Sequence, residues 1–208
     1  DGQRERIRDA AASLLEDTGF VVQHAGLLEA ARRAGARVDD PSGRVRVPRA
    51  LARDLMSRVP RRYTIRNLLG ETWEVGGPRP LGLAIVTDPW IVDYPTQQPR
   101  RPCLEDLRRH TIVAAQLAPV AAISCMDYPV TDVPGPASNL RALEQHVLHH
   151  ARHYVAMTAS VESLHGWLDL AGVLAGGGDL RGLLSVAVAR GSPLTLNQIN
   201  GELLCLAV

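Results

Sequence analysis

Four histidines lie within eight consecutive positions of the stretch EQHVLHHARHY, which spans residues 144–154. They are His146, His149, His150 and His153. Side chains three or four residues apart share one face of a helix, and imidazole is the commonest metal ligand in proteins. Catalytic zinc needs three protein ligands and an open position for substrate, and a bare histidine pair is a weak metal motif. The stretch therefore predicts a structural or solvated role for the histidines and no metal site.

The position of the histidines in the predicted fold supports this interpretation. Three of them lie in the last turns of a predicted helix, NLRALEQHVLHHAR (residues 139–152), between two predicted strands, and His153 lies at the start of the second of these strands. In a strand–helix unit the strand points to the active face and the helix runs back, so the end of the helix lies at the face that serves stability. Imidazoles there also suit the free carbonyls and the negative end of the helix dipole. We therefore expect the active site elsewhere.

The second part of the chain, residues 81–208, alternates short apolar strands with helices. The predicted strands are GLAIV (82–86), VAAISCM (120–126), YVAMTA (154–159) and LLSVAVA (183–189), and the helices between them span residues 104–117, 139–152 and 161–176. This alternation predicts an α/β fold with a parallel sheet wrapped by helices. Periodicity alone fits both an open doubly wound sheet and part of an eight-stranded barrel. The strands lack a following glycine-rich phosphate loop, so the usual nucleotide fingerprint is missing.

The first part of the chain predicts a separate N-terminal domain, residues 1–80. Its predicted helices span residues 4–19, 26–35 and 48–59, and its short strands span residues 20–23, 44–47, 62–66 and 72–75. This mixture indicates an α+β cap in front of the parallel sheet, so we predict two domains, 1–80 and 81–208.

Composition excludes several classes of function. The chain has 208 residues and a formal net charge of +1 with scattered basic residues, which argues against a nucleic-acid partner. It has no apolar run long enough to span a bilayer, so we expect no membrane association. Its three cysteines, Cys103, Cys125 and Cys205, are far apart and predict free thiols in the cytoplasm. The chain begins with Asp and ends in an apolar run, so both ends are expected to be cut.

An ordered set of segments resembles the trimethylamine methyltransferase family, a corrinoid-dependent superfamily that also includes glycine betaine methyltransferases. The N-terminal segments are LLEDTGFVVQ (14–23), EAARRAGARVD (29–39) and GRVRVPRALARDLMSRVPRRYTI (43–65). The later ones are VGG (75–77), VTDPWIVDYPTQQPRRPCLEDL (86–107) and SVAVARGSPL (185–194). The resemblance covers nearly all of the chain.

The resemblance implies a (β/α)8 barrel behind an N-terminal cap. A complete barrel needs about 250 residues, so this chain is expected to contain the cap and about four of the eight strand–helix units. The implied activity moves a methyl group from a methylated amine, such as trimethylamine or glycine betaine, to the cobalt of a separate corrinoid protein, as in methanogenesis and other one-carbon metabolism. No cofactor is expected to bind this chain directly, and the full-length protein is expected to form a homo-oligomer.

The candidate substrate-binding residues follow the predicted strands, because barrel active sites lie at the carboxyl ends of the strands. They are Asp127, Tyr128, Arg190 and Ser192. A methylated ammonium is best held by carboxylates and aromatic faces, and Asp127 beside Tyr128 supplies one of each. Arg190 could pair with the carboxylate of a betaine, and Ser192 fits either the site or a turn.

This chain departs from the family pattern at two of these places. Members often have Gln-Asp where it reads Met126-Asp127, and Asn-Pro before Ser-Pro-Leu where it has Arg190 and Gly191, which leaves the amine open. A further departure is Cys103, which stands where members often have Thr or Ser as a helix cap and is a poorer cap. Asp88 and Trp90 follow the first strand: Asp88 fits either the site or a structural cap, and Trp90 favours packing between cap and barrel.

Two other functional classes fit the same sequence. One is a truncated, non-catalytic remnant or interaction module of the family, and the other is an unrelated barrel enzyme such as a lyase. The coding sequence beyond Val208 separates the enzyme from the remnant, and a corrinoid-binding protein encoded nearby separates the methyltransferase from the lyase.

Overall fold

A computed structural model describes residues 2–86, 88–124, 130–135, 137–149, 152–158, 160–189 and 191–208. By its internal contacts the chain divides into two compact units. The terminal unit comprises Asp1–Arg61 and Ala189–Val208, and the central unit comprises Arg62–Val188. The sequence predicts a cap over residues 1–80 and part of a barrel over residues 81–208, and this division stays a prediction.

The elements follow one another along the chain in three groups. The first group is α1 (Gly2–Ser13), a short π-helix (Leu14–Thr18), β1 (Phe20–Val22), α2 (Ala25–Arg33), β2 (Arg37–Asp39), β3 (Arg44–Arg46) and α3 (Arg49–Arg58). The second is β4 (Tyr63–Arg66), β5 (Thr72–Val75), β6 (Gly82–Ile85), β7 (Ile91–Val92), β8 (Pro99–Arg100), α4 (Leu104–Gln116), β9 (Val120–Ser124), α5 (Ala137–His149), β10 (His153–Met157), α6 (Val161–Leu174) and β11 (Leu184–Ala187). The third is β12 (Thr195–Leu196) and α7 (Gln198–Ala207).

The terminal unit is built on a four-stranded sheet in the order β12-β1-β3-β2. Its N-terminal strands are antiparallel, whereas β12 from the C-terminal end of the chain lies parallel to β1. Helix α7 packs against the start of α2: a Cβ added at Gly201 would lie 2.5 Å from the Cβ of His24, so only glycine fits there. The sequence did not predict β2, β12 or α7, because each is short or lacks a clear period.

The central unit contains the parallel sheet that the sequence predicts. Its four strands lie in the order β11-β10-β9-β6, and every neighbouring pair is parallel. The register aligns Ala84 with Ile123, Ile123 with Tyr154, and Tyr154 with Leu184. The four predicted strands and the three predicted helices α4, α5 and α6 are thereby confirmed within a few residues, and so is the mixed α/β class.

The three helices cover one face of this sheet. Val86 and Ile123 belong to an apolar core with Leu107 of α4 and Ala142 of α5. Further along the same face, Tyr154 and Leu184 line a small apolar cavity with Leu143 of α5 and Trp167 of α6. Because side chains alternate along a strand, this face is the helix side of all four strands.

The opposite face of the sheet is covered less completely at strand β6. Leu83 is 50% exposed and Ile85 is 44% exposed, although their neighbours Ala84 and Val86 pack against the helices. Among the described strands the order does not reverse, and in such an order the usual right-handed crossovers place successive helices on one side. The unit is therefore singly wound, unlike a doubly wound sheet, which has helices on both faces and a reversal of strand order.

Candidate functional site

The carboxyl end of the parallel sheet, where β6, β9, β10 and β11 end, is the place for which the sequence predicts substrate binding. Of the four predicted residues the structure describes Ser192, whereas Asp127, Tyr128 and Arg190 lie outside the described residues. Ser192 belongs to the terminal unit, where it is exposed in a turn closed by two hydrogen bonds between Gly191 and Thr195. Its peptide bond to Pro193 is cis. The structure therefore places Ser192 in the turn that was its alternative interpretation.

The residues that flank the segment 125–129 are firmly held. Ser124 ends β9, is fully buried, and donates from its hydroxyl to the carbonyl of Val155 over 2.7 Å. Val130 is buried, and its N–H donates to the hydroxyl of Ser138 over 3.1 Å. Both the entry to the segment that contains Asp127 and Tyr128 and its exit are thus anchored by hydrogen bonds.

The residues after β10 hold the start of helix α6. Ser160 caps the helix, since its hydroxyl accepts from the N–H of Ser163 over 3.2 Å. The N–H of Ser160 donates to the hydroxyl of Thr158 over 3.0 Å, and the Asn139 amide donates to the hydroxyl of Ser163 over 3.3 Å. The hydroxyls of Thr158, Ser160 and Ser163 therefore stabilise the start of this helix.

The residues after β6 form an excursion that the sequence did not predict. Strands β7 and β8 pair antiparallel as a hairpin between the end of β6 and the start of α4. Arg100 at the end of the hairpin donates two hydrogen bonds to the Asp106 carboxylate, Nη1 over 2.6 Å and Nη2 over 2.8 Å. Asp106 also accepts from the N–H of Cys103 over 2.9 Å and from its thiol over 3.1 Å.

This arrangement explains how α4 begins with a cysteine at its N-cap. Asp106, in the first turn, reaches back to the N–H of Cys103 as the third position of a capping box does. The bidentate Arg100 pair holds the pKa of Asp106 well below its usual range, with help from the two Cys103 hydrogen bonds and against the effect of burial. The pKa of Arg100 is raised by the same contact. The three-residue spacing of Cys103 and Asp106 was the sequence signal for the capping box alone.

The connection after β9 is hydrogen-bonded to the start of helix α4. The N–H of Leu104 donates to the Asp132 carboxylate over 2.9 Å, and the N–H of Thr131 donates to the carbonyl of Pro102 over 3.0 Å. The start of α4 therefore joins the connections that follow the first two parallel strands, and it fixes both at the carboxyl end of the sheet.

An open apolar groove of about 380 Å³ runs beside strand β6 and helix α4. It is lined by Ala84, Ile85, Val86, Asp88, Trp90, Ile91, His110, Val113, Ala114 and Leu117. His110 is committed to structure, because its Nδ1 lies 2.9 Å from the carbonyl oxygen of Val86 and must donate to it. The guanidinium of Arg101 lies 4.3 Å from the ring centroid of Trp90, so a cation already covers one face of this indole.

His153 of the histidine cluster lies at the other, amino end of the sheet, where the sequence predicts the cluster. His153 opens β10, is 1% exposed, and lies 3.1 Å through Nδ1 from the carbonyl oxygen of Arg66. A carbonyl only accepts, so Nδ1 carries the proton and Nε2 accepts from the Ser185 hydroxyl over 2.8 Å. Burial lowers the pKa of His153 from its ordinary value, which agrees with a ring that donates through Nδ1 and accepts through Nε2.

The other described histidines of the cluster, His146 and His149, belong to helix α5. His146 is fully buried with its ring edge-on to Trp167 at a centroid distance of 6.4 Å, His149 ends α5, and His150 lies outside the described residues. Among the residues that the structure describes, no group of three or more His, Cys, Asp or Glu side chains could hold a metal ion. None of the helices in the described ranges is long and apolar enough to cross a membrane.

The central unit is thus a singly wound α/β unit with polar and aromatic side chains at the carboxyl end of its parallel sheet, the end at which α/β enzymes place their sites. The family model described as Trimethylamine methyltransferase (MTTB) matches residues 1–202, and the chain belongs to this family. The resemblance found in the sequence is thereby confirmed, and membership implies a methyltransferase. No curated protein matches the chain in sequence.

Proposed function

We propose that the full-length protein transfers a methyl group from a methylated amine to the cobalt of a corrinoid carried by a separate protein. The observation that carries this proposal is the family match over residues 1–202. The corrinoid belongs to the partner and acts as a co-substrate, so we expect this chain itself to bind no cofactor. The free thiols of Cys103 and Cys205 agree with a cytoplasmic location.

The strand order supports a (β/α)8 barrel as the scaffold of this activity. In such a barrel each strand neighbours the next along the chain and all helices lie outside, which is the arrangement of β6, β9, β10 and β11. The half-exposed Leu83 and Ile85 suit the interior of a barrel, where branched apolar side chains form layers. We propose that the central unit is the first half of this barrel and that further strand–helix units complete the sheet.

The proposed amine site lies at the carboxyl end of the sheet and includes Asp127 and Tyr128. Their segment begins and ends at residues that hydrogen bonds fix, Ser124 and Val130. Trimethylammonium has one N–H to donate and a quaternary ammonium has none, so such a cation is recognised by a carboxylate and by aromatic faces. Arg190 would bind the carboxylate of a betaine substrate. Ser192 lies in an exposed turn and enters this proposal only as a neighbour of Arg190 in sequence.

The methyl transfer requires little acid–base catalysis by the protein. The C–N bond breaks with its electron pair left on nitrogen, and the methyl carbon bonds to the electron pair of cob(I)alamin, so a protonated or quaternary amine leaves as a neutral amine. The residues of the site need to aim the methyl group and exclude water. A site of fixed carboxylate and aromatic groups therefore suffices.

The experiment is a single-turnover absorbance assay with the full-length protein. A purified corrinoid protein of the same organism is reduced to the cob(I) state and mixed with the enzyme and one amine at a time: trimethylamine, dimethylamine or glycine betaine. We expect rapid conversion to the methylated cob(III) spectrum with one of these donors and none without enzyme. Absence of conversion with every methylated amine would contradict the proposal and favour the non-catalytic remnant.

A further inference from the structure

The hairpin of β7 and β8 stands at the carboxyl end of the sheet and exposes apolar side chains. Tyr94 in its turn is 87% exposed, Val92 is 63% exposed, and Trp90 at its base is 56% exposed. Aromatic and arginine side chains are the ones that dominate binding energy at protein interfaces. We propose that the tip of this hairpin, Val92 and Tyr94, is the docking surface for the corrinoid protein. This inference rests on the proposed function.

The tip is held in one conformation by its own hydrogen bonds. The Asp93 carboxylate accepts from the Thr96 hydroxyl over 2.9 Å, and the N–H of Gln97 donates to the carbonyl of Asp93 over 2.7 Å. The Gln97 side-chain amide donates to the carbonyl of Tyr94 over 2.6 Å. Because Tyr94 lies between these bonds, its backbone is fixed while its ring remains in water. Such pre-organisation lowers the ordering cost of binding.

The base of the hairpin is fixed to the sheet by two arginines. Arg100 is paired with Asp106 at the start of α4, and Arg101 stacks on Trp90 and donates to the carbonyl of Pro89 over 2.8 Å. An isolated two-stranded hairpin is only marginally stable in water. These contacts therefore keep in place an element that has little core of its own and that presents apolar side chains to solvent.

The position of the tip identifies its partner. Methyl transfer needs cobalt within bonding distance of the amine, so the protein that carries the cobalt must contact the surroundings of the carboxyl end. The hairpin leaves the end of β6 and returns to the start of α4, both at that end. Trp90 and Ile91 line the groove beside β6, which a further strand–helix unit could cover, whereas Val92 and Tyr94 are not among the groove residues. Both tip side chains are exposed in the part of the chain that the structure describes.

The test compares two methyl acceptors in the full-length enzyme. One is the purified corrinoid protein of the same organism, and the other is free cob(I)alamin, which needs no docking surface. For Tyr94→Ala we expect the KM for the corrinoid protein to rise about ten-fold or more, as for an interface aromatic, while transfer to free cob(I)alamin keeps its wild-type rate. The matched control is Tyr63→Ala, which removes an exposed tyrosine from the other hairpin, β4–β5.

Three results would overturn the inference. An unchanged KM in Tyr94→Ala and in Val92→Ser means that the tip does not touch the corrinoid protein. An equal loss with both acceptors means that Tyr94 acts in the amine site and not in docking. If the wild-type enzyme methylates neither acceptor with any amine, the proposed function fails, and the docking surface fails with it.

Discussion

The two ends of the parallel sheet differ in how completely their side chains are buried and hydrogen-bonded. At the amino end His153 is buried and both of its ring nitrogens have partners in the chain, the carbonyl of Arg66 and the hydroxyl of Ser185. The N–H of Arg66 also donates to the carbonyl of Gly182 over 2.6 Å, so strand β4 closes this end. At the carboxyl end the connection from β6 to α4 is long and contains the hairpin β7–β8, and it leaves Trp90, Val92 and Tyr94 largely exposed.

The amino end of the sheet therefore contributes to stability, whereas the carboxyl end exposes side chains that can bind a partner. A buried polar group with all of its hydrogen bonds made fixes one structure, and its removal costs stability. Exposed aromatic groups held by a rigid base contribute little to folding and are available to a partner. The following predictions use substitutions at the two ends to test this contrast.

The largest expected effect is on stability at the amino end. We expect His153→Ala to lower the free energy of unfolding by about 2–4 kcal/mol, because it leaves a cavity and an unpaired carbonyl. The measurement is urea unfolding followed by circular dichroism. The control is His149→Ala at the half-buried end of α5, for which we expect a change below about 0.5 kcal/mol. Equal losses of unfolding free energy in the two variants would contradict a specific stabilising role of His153.

A smaller loss is expected at the start of α4. Asp106→Asn removes the charge that pairs with Arg100 and weakens the cap of the helix, and because Arg100 is partly exposed we expect a loss of about 1–2 kcal/mol. The pKa of Asp106 is lowered in the folded protein, so its contribution is complete above about pH 4 and is lost as pH falls further. Urea midpoints between pH 5 and about pH 3 should therefore fall less steeply in Asp106→Asn than in wild type. Parallel pH profiles of the two proteins would contradict this prediction.

The third prediction concerns mildly acidic pH. The pKa of His153 lies below its ordinary value of 6.5 because of burial, so between the two values the unfolded chain binds more protons. Stability is then complete above about pH 6.5 and falls as pH decreases towards the folded pKa. His153→Gln keeps a polar side chain that cannot titrate, so its unfolding midpoint should change less than that of wild type between pH 7 and pH 5. A steeper fall in the variant would place the titrating group elsewhere.

The elements of the central unit were largely predictable from the sequence. The strands GLAIV and VAAISCM are short apolar runs between helices of clear period, and such runs read directly as buried parallel strands. Their order was not predictable, since periodicity describes one element at a time. The packing of residues 195–207 against the first strands of the chain was also not predictable from periodicity, because β12 pairs with β1 across more than 170 positions.

The candidate site was less predictable than the fold. Ser192 follows a predicted strand, yet it lies in a turn that also contains Pro193, and the Ser-Pro pair was the signal for that turn. The hairpin β7–β8 was missed because its strands have two residues each, too few for a period. The pairing of Arg100 with Asp106 depends on that hairpin, so a sequence argument that misses the hairpin also misses the pair.

The most direct test of the central claim, that function lies at the carboxyl end of the sheet, is the dissociation constant of trimethylammonium measured by titration calorimetry. It is measured in full-length wild-type, Asp127→Asn and His153→Gln proteins at pH 7.5, where all three should be folded. We expect Asp127→Asn to bind about ten-fold more weakly, which corresponds to about 1.4 kcal/mol, and His153→Gln to keep the wild-type constant. Wild-type affinity in Asp127→Asn, or an equal loss in His153→Gln, would contradict the claim.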